Sequence, residues 1–443
     1  MPNLFARAAS LLLGHESERT DDSDARSLLA ELGYATPAES DPETRHRASL
    51  LKAASRFARV FELAAPDAPG LVCFGAEFDP ALADPLHAGH PLVGVSGVGV
   101  SLQDAFQGCI GEGIEYLSQL QTADDALEHA PVNPDATFGP QTRAFVAAFA
   151  AHRLRPHADL SWCRARRLGD GREVLLPADL CVRRPLEQQQ VKPPFPLGTG
   201  SAAGRSWDAA ALHGVLELIE RDAASLWWLG GNRGKSIPRE HPALVAAGTL
   251  LAQLRQGVSA RRGWLLEITT DIGVPCAASV SCMADGFGVA VGLAARPTLE
   301  AAARAATLEM CQGELAHAMV EAKVREGGEA ALNARDRDHR RRATKLNADR
   351  CLLLQPLPER PTRLVIGATD PISVRGLIVD RLAQLGIEVF GLDLTRPHLA
   401  VPAARIMAPG LQPLPSEVMT PRLTDMIVRT GGGAAYTGGI ALI

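Results

Sequence analysis

One helical pattern occurs three times in this sequence, over Ser96–Tyr116, Leu197–Asp222 and Thr298–Gln312. Each copy has serine or threonine where a helix N-cap belongs, followed by a good helix-forming run. About three turns further on, each predicted helix carries an acidic or amide pair spaced i, i+3, which places both side chains on one face. Three copies in one register predict a chain that builds the same capped helix three times.

The first two copies align without gaps at their glycine, cap, alanine and glutamate positions: Gly99 with Gly204, Ser101 with Ser206, Ala105 with Ala210, Glu112 with Glu217 and Glu115 with Glu220. The third copy is fainter, and its corresponding residues are Thr298, Ala302, Glu309 and Gln312. Small residues also precede the second helix, and the glycines among them would let a backbone pass close to a ligand.

The second copy carries the densest polar set. Glu217, Glu220 and Arg221 share one face of the predicted helix, a pattern that in isolation is typical of a solvated surface. Recurrence changes this interpretation, because carboxylates that converge from separate helices repel one another unless a cation lies between them. Oxygen ligands favour Mg²⁺ or Ca²⁺ over zinc, and Mg²⁺ usually shares its shell with water and substrate phosphates. Arg221 could donate hydrogen bonds to a phosphate group. Together, these residues predict a Mg²⁺–nucleotide site.

A second nucleotide motif is ruled out by its spacing. Gly234, Lys235 and Ser236 form the end of a Walker-type loop, but the position that should hold its first glycine is Leu229. The triplet also follows a predicted helix, whereas a Walker loop follows a strand. We therefore do not assign phosphate binding to Lys235.

Composition excludes several classes of protein. The formal net charge of −5 argues against a general nucleic-acid binder. Eight cysteines without a CxxC pair indicate free thiols in a reducing compartment, not a disulfide framework or a zinc ribbon. The N-terminal apolar run lacks a clear cleavage site, and no run approaches the ~20 residues of a membrane-spanning helix. These features predict a cytoplasmic protein without a membrane segment.

The motifs resemble those of the YcaO family, whose members use ATP to modify peptide backbones. The resemblance is carried by SGVGVSLQDAFQGCIGEGIE, GTGSAAGRSWDAAALHGVLELIERDA, AARAATLEMCQGELA and VFGLDLTRPHLAVPAARIMAPGLQPLP, from about residue 90 to 420. It implies an α/β fold of the YcaO type, with internal pseudo-repeats of a capped helix around a nucleotide site. We expect an N-terminal helical extension over residues 1–85 and an ATP-binding catalytic domain over 86–443.

The resemblance also implies roles for individual residues. Glu217, Glu220 and Arg221 are expected to be catalytic. Mg²⁺ and its waters would be held by Glu112, Glu115, Glu217 and Glu220. ATP would be contacted by Ser96, Gly97, Gly99, Ser201, Gly204, Arg221, Glu309 and Gln312.

The implied reaction is ATP-dependent cyclodehydration of a ribosomally made precursor peptide. A Cys, Ser or Thr side chain attacks the preceding carbonyl, ATP phosphorylates the resulting oxygen, and loss of phosphate leaves a thiazoline or oxazoline. The expected partners are the precursor peptide, a leader-binding or E1-like protein and a flavin-dependent azoline dehydrogenase, in a homodimer or hetero-oligomeric complex. Thioamide or amidine formation, a non-catalytic scaffold and a ligase acting on a small acid remain alternatives.

The sequence departs from the family pattern in three places. Val98 occupies a position that is often basic, and Tyr116 stands where an arginine often follows the glutamate pair. The proline-rich PxPxP tail of many azoline-forming members is absent; the closest prolines, Pro413 and Pro415, lie well inside the chain. The phosphate-binding residues of the first copy are therefore left open.

The remaining pattern predicts the supporting elements. We expect a helix over Ala48–Ala65, core positions for Trp227 and Trp228, and an exposed linker over 326–350. Three strands are predicted over Trp264–Thr270, Val274–Cys282 and Phe287–Leu293, and the third repeat helix is expected to reach about Arg325. A βαβ-like unit is predicted from Leu364–Ala368, a helix over 372–385 and Val389–Leu394.

Overall fold

The computed structural model describes residues 2–15, 22–34, 41–130, 136–152, 154, 159–258, 260–358 and 369–442. The chain forms two compact units. Unit 1 comprises Met1–Leu63, Val72–Val215 and Pro371–Pro409, and unit 2 comprises Ala64–Leu71, Leu216–Asp370 and Gly410–Ile443. The predicted strand Leu364–Ala368 lies outside the described residues.

Helices and strands alternate along much of the chain. The helices are α1 (Pro2–Leu12), α2 (Ser23–Glu31), α3 (Pro42–Ala54), α4 (Leu102–Gln119), α5 (Pro140–Ala151), α6 (Ala178–Cys181), α7 (Trp207–Trp228), α8 (Pro242–Arg255), α9 (Leu299–Gly327), α10 (Ala334–Lys345), α11 (Pro371–Gln384), α12 (Pro421–Thr430) and α13 (Ala434–Thr437). The strands are β1 (Arg59–Leu63), β2 (Val72–Phe78), β3 (Val93–Gly99), β4 (Leu127–Ala130), β5 (Leu160–Arg167), β6 (Glu173–Pro177), β7 (Ser201–Ala203), β8 (Arg261–Glu267), β9 (Cys276–Met283), β10 (Ala290–Ala295), β11 (Phe390–Asp393) and β12 (Ala403–Met407).

The three repeated helices begin at the predicted caps. The hydroxyl oxygens of Ser101, Ser206 and Thr298 each accept a hydrogen bond from the backbone N–H three residues ahead, at 3.1, 3.2 and 3.2 Å. Each bond satisfies a donor that would otherwise lack a partner in the first helical turn. The repeat read from the sequence is thus a repeat of local structure.

Unit 1 contains an antiparallel sheet in the order β1-β2-β3, with α4 packed on β3. The predicted helix over Ala48–Ala65 is wrong in its second half, because α3 ends at Ala54 and residues 59–63 form β1. Every residue of β1 is paired with β2, from Arg59 opposite Glu77 to Leu63 opposite Cys73. The strand is stabilised by this neighbour, which local apolar spacing does not reveal.

A second sheet of unit 1 has the order β4-β5-β11-β12-β7, and β6 pairs with β5. The predicted helix near 372–385 and the strand near Val389–Leu394 are confirmed as α11 and β11. The segment that precedes α7, residues 197–204, is rich in glycine and is called the glycine-rich segment. Arg405 of β12 is buried against it and donates hydrogen bonds to the carbonyl oxygens of Leu197, at 2.8 Å, and of Thr199. The guanidinium thereby fixes the backbone that leads into α7.

Unit 2 is built on the antiparallel meander β8-β9-β10, as the sequence predicts, with α9 packed against β9 and β10. Trp227 and Trp228 are fully buried and donate to the carbonyl oxygens of Leu353 and Ile440, at 2.9 and 2.7 Å. Their predicted core position is confirmed. Each indole N–H has a partner, which burial of the indole requires.

The predicted linker over 326–350 is wrong where it contains α10. Asn333 caps this helix reciprocally with Asp336, and Lys323 of α9 pairs with Asp336 at 2.8 Å. Arg342 is buried despite the basic run around it. Capping and ion pairs stabilise a helix whose strongly polar sequence has no hydrophobic periodicity by which it could be predicted.

In the residues that the structure describes, no helix combines the length and apolar character needed to cross a bilayer.

Candidate nucleotide and metal site

Within unit 2, side chains from the second and third repeats lie together beside β10. Glu220 of α7 is buried, with 7% of its surface exposed, and its Oε2 accepts a hydrogen bond from the backbone N–H of Ala295 at 3.3 Å. Glu309 of α9 accepts from the backbone N–H of Leu293 at 2.7 Å. The two carboxylates are therefore positioned by alternate amides of one strand.

Arg221 lies between the carboxylates of its own helix. Its Nη1 is 3.1 Å from Oε1 of Glu220, and its Nη2 is 3.5 Å from Oε1 of Glu217. Nη1 is buried and makes no hydrogen bond to any described residue, so its approach to Glu220 is an ion pair only. A buried donor with unused hydrogen-bonding capacity favours an anionic ligand nearby.

The electrostatics of this cluster are those of carboxylates removed from water. Burial raises the pKa of Glu220 to about 8, and Arg221 opposes this shift while Glu309 and Glu217 add to it. Burial also raises the pKa of Glu309, against the influence of Arg221. Burial lowers the pKa of Arg221, but the surrounding carboxylates reverse the effect and the net shift is upward. A cation beside Glu220 would favour its charged form.

The donor set fits Mg²⁺ in chemistry, since it consists of hard carboxylate oxygens. Among the described residues, no three carboxylate, imidazole or thiol side chains are grouped closely enough to hold a metal ion by themselves. A metal bound here would therefore complete its shell with water and phosphate oxygens, the arrangement that Mg²⁺ commonly adopts.

In unit 1, the glutamates of the first repeat lie on α4. Glu112 is exposed and Glu115 is half-buried. The carboxylate of Glu115 accepts a hydrogen bond from Nε2 of Gln119 at 3.1 Å. Oε1 of Gln119 in turn accepts from Nε of Arg183 at 2.7 Å, and the guanidinium of Arg183 lies over the ring of Tyr116.

The predicted glycines have a packing role that the sequence analysis did not assign. A Cβ at Gly99 would lie 2.9 Å from the backbone nitrogen of Ala105, and a Cβ at Gly204 would lie 2.8 Å from that of Ala210. The aligned glycines thus make the same close approach to the aligned alanines. A Cβ at Gly97 would lie 2.1 Å from the backbone nitrogen of Cys109.

The other predicted ligand-contacting residues lie in or beside these elements. Ser96 is in β3 opposite Gly75, and Ser201 is a buried residue of β7 whose hydroxyl donates to the carbonyl oxygen of Leu197 at 3.3 Å. Gln312 is half-buried on α9. Contact of these residues with a nucleotide stays a prediction.

Two arginines that the repeat alignment did not assign lie beside these clusters. Arg296 follows β10, and its charge lowers the pKa of both Glu220 and Glu309 against the effect of burial. It occupies the position of Gly99 and Gly204 in the third repeat, so extending the alignment by two residues would have found it. Arg183 lies between the first two repeats and carries no signal in the repeat alignment.

The comparisons with known proteins decide the family. The family model described as YcaO cyclodehydratase, ATP- and Mg²⁺-binding, matches residues 96–412. The chain belongs to the YcaO family. The resemblance seen in its motifs is therefore confirmed, and ATP and Mg²⁺ are the ligands of the family to which it belongs.

Relatives cover part of the sequence. An uncharacterized protein of Methanothermobacter thermautotrophicus is 26% identical over 58% of this chain and 66% of its own length. An uncharacterized protein in the tfuA 3′ region of Rhizobium leguminosarum bv. trifolii is 28% identical over 57% of this chain and 61% of its own length. The chain thus matches less than two thirds of each relative.

Solved structures share the fold. A heterocyclase in complex with substrate and cofactor superposes with a TM-score of 0.65 and 20% identity, over 89% of this chain and 55% of that protein. YcaO from Methanopyrus kandleri bound with AMPPCP and Mg²⁺ gives a TM-score of 0.57 and 18% identity, over 84% of this chain and 92% of that protein. The E. coli microcin synthetase McbBCD complex gives a TM-score of 0.57 and 15% identity, over 79% of this chain and 87% of that protein. The α/β fold of the YcaO type is confirmed.

Proposed function

We propose that this chain is an ATP-dependent cyclodehydratase subunit that converts Cys, Ser or Thr residues of a ribosomally made precursor peptide to thiazolines or oxazolines. The observation that carries the proposal is the buried cluster of Glu220, Arg221 and Glu309 within a family that binds ATP and Mg²⁺. Such a cluster suits the neutralisation of a transferring phosphoryl group, where positioning and charge provide most of the catalysis.

The acidic residues of the repeats would hold Mg²⁺, which supplies charge neutralisation to the phosphates of ATP. Glu217 and Glu220 are the leading ligands, and Glu112 and Glu115 are proposed to act as ligands or to hold its waters. Arg221 would donate to a phosphate oxygen through the Nη1 that makes no hydrogen bond within the described chain. Glu309 and Gln312, with the backbone at Ser96, Gly97, Gly99, Ser201 and Gly204, would position the nucleotide.

The proposed chemistry balances without an oxidant. The peptide thiol or hydroxyl attacks the preceding carbonyl carbon and loses its proton, and the carbonyl oxygen accepts the γ-phosphoryl group of ATP, releasing ADP. Expulsion of that oxygen as inorganic phosphate, with loss of the amide proton, forms the C=N bond of the azoline. The peptide loses one water in total, and its oxygen leaves in the phosphate.

Other proteins would complete the pathway. We propose a precursor peptide as substrate, a leader-binding or E1-like protein that delivers it, and a flavin-dependent dehydrogenase that oxidises azolines, in a homodimeric or hetero-oligomeric complex. The eight cysteines are all buried free thiols, which favours the reducing cytoplasm as the place of action.

High-resolution mass spectrometry tests the reaction. The probe is the short Cys- and Ser-rich peptide encoded nearest to the gene, incubated with the chain, ATP, Mg²⁺ and the leader-binding partner. We expect a product lighter by one water for each modified residue, and replacement of that residue by Ala should abolish the change there.

The same measurement distinguishes the main alternative. The ATP site could also activate an amide oxygen for attack by an external sulfur donor. A product in which sulfur replaces oxygen, and which still forms after the Ala replacement, would mean thioamide formation and would contradict azoline formation.

A further inference from the structure

Unit 1 contains a cavity of about 460 Å³ to which the proposed reaction assigns no ligand. Its lining includes His87, Tyr116, Arg183, Phe195 and Leu197, together with several prolines. Leu197 begins the glycine-rich segment that leads into β7, and Tyr116 directly follows Glu115. The cavity therefore lies next to residues of both the first and the second repeat.

Arg183 is held in this cavity by three contacts from one helix. Its backbone N–H donates to the carbonyl oxygen of Gln119 at 2.7 Å, and its Nε donates to Oε1 of the same residue at 2.7 Å. Its guanidinium carbon lies 4.7 Å from the ring centroid of Tyr116. A guanidinium fixed at Nε and stacked on a ring retains little rotational freedom, so its orientation is set before a ligand binds.

The guanidinium of Arg183 contacts neutral groups, the amide oxygen of Gln119 and the ring of Tyr116. The carboxylate of Glu115 raises the pKa of Arg183 electrostatically, against the effect of burial, and is joined to it through Gln119. The adjacent Arg184 differs. Its Nη1 lies 3.5 Å from Oδ1 of Asp179, and its guanidinium donates hydrogen bonds to the Oε1 atoms of Gln121 and Gln190. Burial lowers the pKa of Arg183, yet a guanidinium remains charged at neutral pH. Arg184 therefore has a structural role, whereas Arg183 has a charge available for a ligand.

Comparison of the first two repeats indicates which ligand Arg183 could bind. In the second repeat, Arg221 directly follows the glutamate pair, whereas in the first repeat that position is Tyr116. Arg183 lies on the ring of Tyr116, and Gln119 connects its Nε to the carboxylate of Glu115. A guanidinium missing from α4 in the sequence is thus supplied by a residue 64 positions away from Gln119.

The glycine-rich segment borders this guanidinium. A Cβ placed on Gly198 would lie 3.5 Å from Nη2 of Arg183. Nη2 therefore lies beside the start of the glycine-rich segment, whose later residues the sequence predicts to pass close to a ligand. A guanidinium donor held in this position suits an oxyanion.

We propose that Arg183 binds a phosphate oxyanion of ATP in this cavity and serves as the first-repeat counterpart of Arg221. The inference deepens the proposed function, because it relies on the role given there to Glu115. It does not rely on azoline formation. A carboxylate of the peptide substrate is the competing source of an oxyanion, and the experiment separates the two.

The test is a direct binding titration of the full chain with MgATP and, separately, with the precursor peptide. Arg183→Met keeps an unbranched side chain in place of the arginine stem and removes the guanidinium with its charge, and we expect MgATP to bind about tenfold more weakly or worse. Arg183→Lys should retain part of the affinity, because it keeps the charge but loses the planar pair of donors. Peptide affinity should change less than about threefold.

Arg164→Met is the matched control, since Arg164 is an exposed arginine of the same unit paired with Glu128 at 2.5 Å. Its MgATP affinity should equal that of the parent chain. MgATP affinity within about threefold of the parent for both Arg183 variants would overturn the proposal, and so would weakened peptide binding with MgATP binding retained. Circular dichroism identifies a misfolded variant, in which case the Lys variant decides. A parent that binds MgATP but forms no azoline would contradict the proposed reaction and leave this inference intact.

Discussion

At the scale of single residues, Glu220 combines burial with the influence of two other carboxylates and two guanidiniums. Burial raises its pKa to about 8, while Arg221 only partly opposes the shift. Without a bound cation, burial therefore favours the protonated form of this carboxyl relative to an exposed glutamate. Groups with strongly shifted pKa values concentrate at functional sites, although buried structural networks shift them as well.

Replacement of Glu220 tests whether this group is functional. Glu220→Gln preserves size and removes the charge, so we expect loss of ATP turnover in the presence of partner and peptide, with the fold retained. Glu326→Gln, at an exposed position of α9, is the control and should turn over ATP normally. Phosphate release measures the effect, and normal turnover by the Glu220→Gln variant would remove Glu220 from the proposed site.

The same variant should change the pH dependence of stability. The pKa of Glu220 is higher in the folded chain than in the unfolded chain, where it is near 4.3. Its contribution to the free energy of unfolding is therefore fully present below about pH 4 and is lost as the pH rises through about 8. In denaturant titrations without metal, Glu220→Gln should gain at least about 1 kcal/mol relative to the parent between pH 5 and pH 8. An equal difference at both pH values would contradict the raised pKa.

At the scale of elements, the repeats depend on strands that approach a helix backbone very closely. In unit 1, a Cβ at Gly97 would lie 2.6 Å from the carbonyl oxygen of Ala105 and 2.1 Å from the nitrogen of Cys109. Backbone atoms cannot move aside as a flexible side chain can, so β3 would have to separate from α4. The contact fixes the distance between the first repeat helix and its sheet.

Gly97→Ala should therefore lower the free energy of unfolding by about 1–3 kcal/mol or more, which is the usual cost of adding a carbon atom to a well-packed core. Gly94 provides a control within the same strand, because a Cβ there would have no atom within 4 Å. Gly94→Ala should change stability by about 0.5 kcal/mol or less. Chemical denaturation of both variants measures the difference, and equal stabilities would show that β3 and α4 can adjust without cost.

Local sequence signals predicted the elements that are stabilised locally. The caps at Ser101, Ser206 and Thr298 are confirmed because each hydroxyl acts within its own first turn. Strand β1 was missed because its stability comes from pairing with β2 across a connecting segment. The contact of Arg183 with Tyr116 joins positions far apart in the sequence, and no periodicity encodes it. Glu220, Arg221 and Glu309 could be predicted from the repeat, whereas the amides of Ala295 and Leu293 that hold the two carboxylates could not.

At the scale of the whole molecule, the matches differ in how much of each neighbour they cover. The chain spans 92% of the Methanopyrus kandleri YcaO structure but only 55% of the heterocyclase in complex with substrate and cofactor. Residues 96–412 account for the family match. The matched family binds ATP and Mg²⁺, so we expect nucleotide binding within these residues, whereas delivery of the peptide belongs to the separate leader-binding protein proposed above.

This distinction predicts partner dependence. The 443-residue chain alone should bind MgATP normally but process its precursor peptide slowly or not at all, because nothing would raise the local concentration of the peptide at the site. Addition of a leader-binding protein should restore turnover, measured by mass spectrometry and phosphate release over time. A peptide without its leader is the control, and the partner should not accelerate its processing. Fast, leader-dependent processing by the chain alone would show that leader recognition resides within these residues, with the segment before residue 86 as the first region to test.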